Sequence, residues 1–546
     1  MSACIGALVI VVAYGHWEEG KLVRFALIDD AMISMSFARS LAEGCGLVWY
    51  CGAEKVEGYT NLGWVLYMAF WHLLGIPPAY TSLPIFLTGL FTLVWHIRGI
   101  YQVGCLFDEK IAHIAAWMAA VFPPLIFHHT SGLEAGFLAM LLTYYLYESR
   151  PSGSIAWMTG IAMIGTVVRL DFILGVITLS AARALSLWIG KVPNEAKNQR
   201  LKLLWLPVGL ALLIALVITL WRKNYYDAWV PNTYELKVAS VPLGWRILNG
   251  GIAAFMHVGM NLPAWALAAV GLWVWRASLQ AWISAALLGV SVAYSIYVGG
   301  DIYESATQSN RFLLNGFVTL LVWAAAGTAT LSSRPVSWAF LVLLVSYGLP
   351  IPLLSQIAYR WKGLFRSQQE FYIPVERYFP PGTPLLVGAA GTTPYFFRGY
   401  RWIDLLGKID TATARRGLVV LCNGRPPLLY FPGHTRLDTF HLWNVEGVVR
   451  GIFISCTDSA ASPLRHWWWS NLVHSLSPCR GRVPPWLPFP TAAFRDRFCA
   501  VYEPIREFPG SWKRRSTRIT TPLSNPSQAL PPQQQTNLRH KMSSSP

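Results

Sequence analysis

Charge is what this sequence has least of. Only 13% of its 546 residues are Asp, Glu, Lys or Arg. That is half of the roughly 25% usual in soluble globular proteins, which argues against a single cytosolic enzyme. Acidic residues are scarcer still, 27 against 44 Lys and Arg. Zinc-type spacing is missing as well: the eight cysteines form no CxxC pair and no Cys/His pattern. Apolar residues, by contrast, make up 54% of the chain and include 26 tryptophans, too many for intrinsic disorder over most of its length.

A bilayer crossing takes about 20 mostly apolar residues. Apolar segments occur at 3–14, 61–76, 83–106, 111–127, 134–148, 154–168, 170–190, 203–221, 251–275, 279–298, 312–331 and 335–358. The expected fold is therefore an α-helical polytopic membrane protein with about 11–12 transmembrane helices. The first segment reads as a retained helix, because no small-residue cleavage site precedes His16 and Trp17.

The net charge of +17 is unevenly spread. Residues 1–358 hold 20 Lys+Arg against 17 Asp+Glu, and residues 359–546 hold 24 against 10. A nearly neutral membrane body, 1–358, thus carries a basic appendage. Its basic residues are scattered and tied to a membrane body, so anionic headgroups or phosphate-bearing substrates explain them better than nucleic acid does.

Loops rich in Lys and Arg mark the cytoplasmic side. The loop 191–202 carries Lys191, Lys197, Arg200 and Lys202, while Arg150, Arg276 and Arg334 mark other turns. The loops 15–60, 222–250 and 299–311 and the appendage then fall outside a plasma (inner) membrane. Three apolar segments separate the first loop from Gly132-Leu133-Glu134, and three crossings put these motifs on opposite faces. Either one segment is re-entrant or split, or the segmentation is wrong.

In the appendage, short apolar runs at 385–389, 418–422, 448–456 and 498–502 lie between Gly, Pro and Asn breakers. They read as strands of a small extracytoplasmic α/β domain over 359–510. Residues 511–546 hold no acid and many Ser, Pro and Gln, and read as a basic disordered tail. Cys45 with Cys51, and Cys479 with Cys499, are candidate disulfides; unpaired thiols acting as small hydrophobes are an equal reading.

Ionisable groups that persist against so apolar a background usually have a role or a partner. The first loop concentrates them at Asp29-Asp30 and at Glu57. Ile33, Phe37 and Leu41 recur at spacing four after the aspartates, so Asp30 could cap an amphipathic interfacial helix. One carboxylate is enough for a cap, and two repel each other. The second suggests a general base or a cation ligand.

The run Asp29-Asp30-Ala31-Met32-Ile33-Ser34, followed by Glu57-Gly58-Tyr59-Thr60-Asn61, resembles the opening of a family of GT-C membrane glycosyltransferases. The relatives it is most similar to are the mycobacterial-type terminal arabinofuranosyltransferases and their bacterial homologues. Further elements follow in the family's order: Ser131-Gly132-Leu133-Glu134, Arg169-Leu170-Asp171, Pro231-Asn232-Thr233 with Lys237, Gly299-Gly300-Asp301 with Arg311-Phe312-Leu313-Leu314, then Pro394-Tyr395 and Ile403-Asp404-Leu405-Leu406-Gly407. The chain departs from the pattern in placing Leu170 where the family has proline. It also has Met35 and Ser36 where an arginine or tyrosine is common, and Gly388-Ala389-Ala390-Gly391 where an acid precedes Pro394. The last departure counts against a catalytic role for the appendage.

The resemblance implies transfer of a sugar from a polyprenyl-phosphate donor to an acceptor hydroxyl of a glycan, lipid or protein outside the membrane. It implies Asp29 as base, with Asp30 and Glu134 orienting the acceptor or, through Asp29 and Asp30, holding a divalent cation. Lys237, Arg311 and Arg169 are the implied partners of the leaving phosphate. Glu57, Asn61, Asn232 and Asp301 are expected on the sugar or acceptor, with Tyr59 or Trp64 stacking on the ring. Blander roles compete: an Arg169–Asp171 pair between helices, Lys237 snorkelling to headgroups, His128-His129 as a loop edge, Trp467-Trp468-Trp469 as an interfacial anchor. A lipid-linked sugar flippase and a non-catalytic envelope assembly protein are the alternative functions. The absence of an evident internal repeat and the loop position of the acids favour the enzyme.

Overall fold

The apolar runs between residues 62 and 331 fold as helices packed side by side, and the loops at one end of the bundle meet. A computed structural model describes residues 15–18, 21–150, 152–189, 203–301, 309–331, 334–339, 376, 380–382, 384–387, 390–404, 406–415, 452–457, 498–504 and 512–514. Segment 3–14, loop 191–202, most of segment 335–358, the run 418–422, Trp467-Trp468-Trp469 and Cys479 lie outside the described residues.

A short hairpin, β1 (Gly15–Glu18) and β2 (Lys21–Phe25), leads into α1 (Asp29–Ala42). Asp29 and Asp30 occupy the first turn of α1 and Arg39 the last, a distribution that complements the helix dipole. The N-cap is Ile28, with no side-chain cap bond, so Asp30 does not cap the helix as its spacing suggested. Both carboxylates are used by other segments.

Helix α2 (Leu62–Leu73) has 12 residues. At 1.5 Å per residue it is about 18 Å long, short of a bilayer core of about 30 Å. Both its ends lie on one face of the bundle. Before it, Asn61 accepts a hydrogen bond from Ser34 and donates one to Glu134; beyond it, Ala79 O accepts from Phe25 N and Pro78 O from the Tyr395 hydroxyl. Segment 61–76 is therefore not a crossing. Two crossings remain between the first loop and Glu134, which places Asp29 and Glu134 on the same face.

The crossings that follow are α3 (Ser82–Gly104), then α4 (Glu109–Val121) with α5 (Pro123–Thr130), bent by 59° at the prolines. Proline has no amide hydrogen and disfavours helix in the residue before it, so the break falls at Phe122. Next comes the pair α6 (Ala135–Glu148) and α7 (Ile155–Val168), closed at one end by Ser154 N on Glu148 and at the other by Arg169 on Glu134. Helices α8 (Phe172–Ile189) and α9 (Leu206–Tyr226) follow, and then α10 (Leu243–Met260) with α11 (Leu262–Val274), bent by 85°. Helices α12 (Leu279–Val298) and α13 (Phe317–Leu331) complete the body.

By length and apolarity, five helices among the described residues suffice to cross a membrane, or seven if each bent pair is one span. That is fewer than the twelve apolar segments of the sequence, since α2 does not cross, α6 and α7 are short, and two segments lie outside the described residues. In the span ending at Leu331, 83% is buried, against 22% of α9, whose Leu212, Leu213, Leu216, Val217 and Leu220 face outward as a lipid surface. Small residues let the central helices approach: a Cβ on Gly271 would meet Trp323 O at 2.1 Å, and one on Gly327 would meet Leu267 O at 2.1 Å.

The appendage carries a five-stranded sheet in the order β4-β3-β5-β6-β7. Its strands are β3 (Pro384–Val387), β4 (Arg401–Asp404), β5 (Ile452–Thr457), β6 (Phe498–Pro504) and β7 (Trp512–Arg514). β4, β3 and β5 are parallel and the other pairings antiparallel, with α14 (Thr392–Phe396) bridging β3 to β4 and α15 (Thr411–Arg415) following β4. Strand β7 extends the sheet three residues into the segment assigned to the tail, because backbone pairing along β6 needs no apolar side chain. Cys499 lies opposite Cys456 across β5 and β6.

Candidate active site

Five loops of one face converge: the start of α1, the loop after α9, residues 299–301 with 309–312, the turn at 131–134, and residues 390–404 with 406–410 of the appendage. Asp29 Oδ1 accepts hydrogen bonds from the amides of Gly391, at 3.1 Å, and Thr392, at 2.8 Å. Burial pushes its carboxyl up to about 6, against Lys408 and the Thr392 amide, which pull it down. Asp30, its neighbour in the same turn, meets Lys408 Nζ at 2.8 Å and Arg311 Nη2 at 3.6 Å. Burial works to raise Asp30, but Lys408, Arg311 and Lys237 overcome it and hold that carboxyl well below the usual range. The same turn thus holds one carboxylate near neutrality and one permanently ionised. Asp30 faces cations rather than an open coordination site, and no group of three or more His, Cys, Asp or Glu among the described residues could hold a metal.

Arg311 grips Asp301 with two bonds, Nε at 2.7 Å and Nη2 at 3.0 Å, and Asp301 is 3% exposed. Lys237 projects from a wide helical turn, Glu235–Ala239, into the field of Arg311, Asp301, Asp30 and Lys408. Burial and then Arg311 lower its ammonium to about 8. Among the described residues the Lys237 ammonium makes no hydrogen bond or ion pair. It is the uncommitted cation of the cluster.

The remaining candidates surround this cluster and are bound to protein groups. Glu134, 1% exposed, accepts from Asn61 at 2.6 Å and from Arg169 at 2.8 Å. Arg169 also chelates Asp171, which accepts from the Tyr294 hydroxyl at 2.9 Å. Arg169 is thus shared between two acids, Glu134 and Asp171, as the pair between helices that the sequence also allowed. Glu57 is held by Arg222, which reaches it from the end of α9. Tyr59 pairs its hydroxyl with Tyr226 at 3.0 Å and packs edge-on against Phe37, and Trp64 donates to Gly132 O and stacks on Phe137. These rings are used in packing, not left open for a sugar. Asn232 donates to Gly407 O at 2.9 Å and Lys408 O at 3.0 Å, so it clamps the appendage to the body. His128 and His129 are buried in α5, not at a loop edge; His129 bonds Thr92 and His96, each at 2.9 Å.

Nothing in the local sequence pattern pointed to Lys408, Arg222 or the Gly391-Thr392 amides. The nearest clue was the run Ile403-Asp404-Leu405-Leu406-Gly407, which directly precedes Lys408. The missing acid before Pro394 counts against a catalytic role for the appendage, yet the appendage lies on α1. Arg398 donates to Ser40, Ser36 O and Trp49 O, Arg39 to Tyr395 O, and Trp49 Nε1 to Ala390 O. The Cys45–Cys51 disulfide closes the loop that presents Trp49. A crevice between α8 and α12, lined by Asp171, Leu174, Leu287, Val290, Tyr294 and Phe312, opens beside Arg169.

The fold is a polytopic helical membrane body with an α/β segment closed over a charged cluster at one face. Among solved structures it is similar to ArnT from Cupriavidus metallidurans bound to undecaprenyl phosphate, at 12% identity and a TM-score of 0.51, over 86% of this chain and 94% of that one. It also aligns with the oligosaccharyltransferase AglB from Archaeoglobus fulgidus, in complex with an inhibitory peptide and a dolichol-phosphate, at 11% identity and a TM-score of 0.46, over 83% and 68% of the two chains. No protein-family profile and no curated protein matches the chain. The chain has the GT-C type membrane fold.

Proposed function

We propose that this chain is a glycosyltransferase that moves a pentosyl or hexosyl unit from a polyprenyl-phosphate donor to an acceptor hydroxyl of an envelope glycan, lipid or protein. The observation that carries this reading is that the adjacent carboxylates Asp29 and Asp30 open one buried cluster with the cations Lys408, Arg311 and Lys237. The neighbour with the same fold is described as bound to undecaprenyl phosphate, which supports a polyprenyl carrier.

In an inverting displacement the acceptor oxygen bonds to the anomeric carbon as the bond from that carbon to the phosphate oxygen breaks. The acceptor proton passes to Asp29, through Oδ2, since Oδ1 is occupied by two amides. The electron pair leaves with the lipid phosphate, whose charge falls to Lys237 and Arg311. The site face carries the Cys45–Cys51 disulfide, which suits an oxidising compartment. Arg150, Arg276 and Arg334 end helices on the other face, as cytoplasmic cations do. The site then opens outside an inner membrane, where donors come on lipids.

The test is incubation of purified protein with a panel of polyprenyl-phosphate sugars, scored for release of lipid phosphate. Asp29→Asn should lower release by about 10²-fold or more while the folded protein persists. Full activity of that variant removes Asp29 from the base role, and movement of intact donor across vesicles without release would favour a flippase.

A further inference from the structure

The appendage places one charged side chain among the reacting groups, and the loop that carries it is built for that purpose. At the end of β4 the Asp404 carboxylate folds onto its own loop, accepting from Leu406 N at 2.9 Å and Ile409 N at 2.8 Å. Gly407 turns the chain at φ +78°, a conformation that disfavours other residues. From the body, Asn232 donates to the carbonyls of Gly407, Lys408 and Asp410. These three fixings hold the backbone on both sides of Lys408, a residue 5% exposed, and its ammonium reaches Asp30.

We propose that Lys408 is a binding residue for the leaving phosphate of the donor, delivered by the Asp404-to-Asp410 loop, so that the appendage is a working part of the site. This rests on the polyprenyl-phosphate reading above. The cluster holds three cations, Lys237, Arg311 and Lys408, against Asp29, Asp30 and Asp301. With all three acids ionised the charges balance, and when Asp29 takes the acceptor proton the cluster is left with one positive charge in excess as the phosphate departs. An ammonium has three donors, and the bond to Asp30 uses one. Lys408 can bridge Asp30 and a phosphate oxygen, with Lys237 on the same anion. Holding Asp30 is also the simplest structural role for Lys408, so the test has to separate the two.

Purified full-length protein in detergent is titrated with undecaprenyl phosphate, followed by intrinsic tryptophan fluorescence, with phosphatidylglycerol as the competing anionic headgroup. Lys408→Met should weaken undecaprenyl phosphate binding about tenfold or more, and Lys408→Arg should keep most of it. Asp404→Asn, which frees the loop without reaching the ligand, should weaken binding in the same direction. The deciding variant is Asp30→Asn with Lys408→Met. If Lys408 serves only to neutralise Asp30, removing both restores binding, and that result overturns the proposal. If Lys408 contacts the phosphate, the double variant stays as weak as Lys408→Met. Unchanged binding by Lys408→Met also overturns it. Wild-type protein that binds no undecaprenyl phosphate, or binds phosphatidylglycerol equally well, overturns the donor reading itself. Should Lys408→Met lower the melting temperature, the Arg and double variants decide the question.

Discussion

The pH dependence of transfer follows from two groups of opposite sign. Asp29 acts as a base only when ionised, and burial places its carboxyl at about 6. Lys237 holds phosphate only when protonated, and burial beside Arg311 places its ammonium at about 8. Below the first value the donor kcat/KM should fall about tenfold per pH unit, and above the second it should fall likewise. At about pH 7 roughly four-fifths of the molecules hold both groups in the working state, so the optimum is narrow. The measurement is the initial rate of lipid-phosphate release at low donor, which reports groups of the free enzyme. Two substitutions assign the limbs. Lys237→Arg installs a guanidinium that does not titrate in this range, so the alkaline limb should vanish. Lys408→Met removes a cation that lowers Asp29, so the acid limb should move to higher pH. An acid limb at the ordinary carboxylate value of about 4, or an alkaline limb that survives Lys237→Arg, would refute the assignment.

Other perturbations test the supports of the site. Arg169→Met leaves Glu134 and Asp171 without their buried cation and should destabilise the protein by about 3 kcal/mol. Thermal unfolding in detergent measures this, and adding Glu134→Gln should recover part of the loss. Replacing Cys45 and Cys51 with serine should cost about 2 kcal/mol, the scale for so small a loop, and reductant should reproduce it on the wild type. Gly391→Ala would set a Cβ 1.9 Å from Asp29 O and 2.8 Å from Asp29 Oδ1. Transfer should collapse while helix content by circular dichroism is unchanged; a fully active Gly391→Ala protein would deny the appendage its place on α1.

The sequence by itself determined the membrane class, because a bilayer forces each crossing to satisfy its backbone within one apolar helix. It also determined the strands β3, β5 and β6, whose short apolar runs lie between breakers. Asp29, Asp30, Lys237, Asp301 and Arg311 were legible too, since charge in so apolar a chain marks its own position. The tertiary structure alone decided which of these charges are available. Arg169 and Lys237 look alike in sequence, but Arg169 is shared between Glu134 and Asp171, while Lys237 is left to the cluster. It also decided that α2 turns back without crossing, a matter of where Ala79 and Pro78 find their donors rather than of apolarity. Lys408 meets Asp30 across 378 positions. No local pattern encodes a contact at that separation, because it exists only once the appendage has folded onto α1.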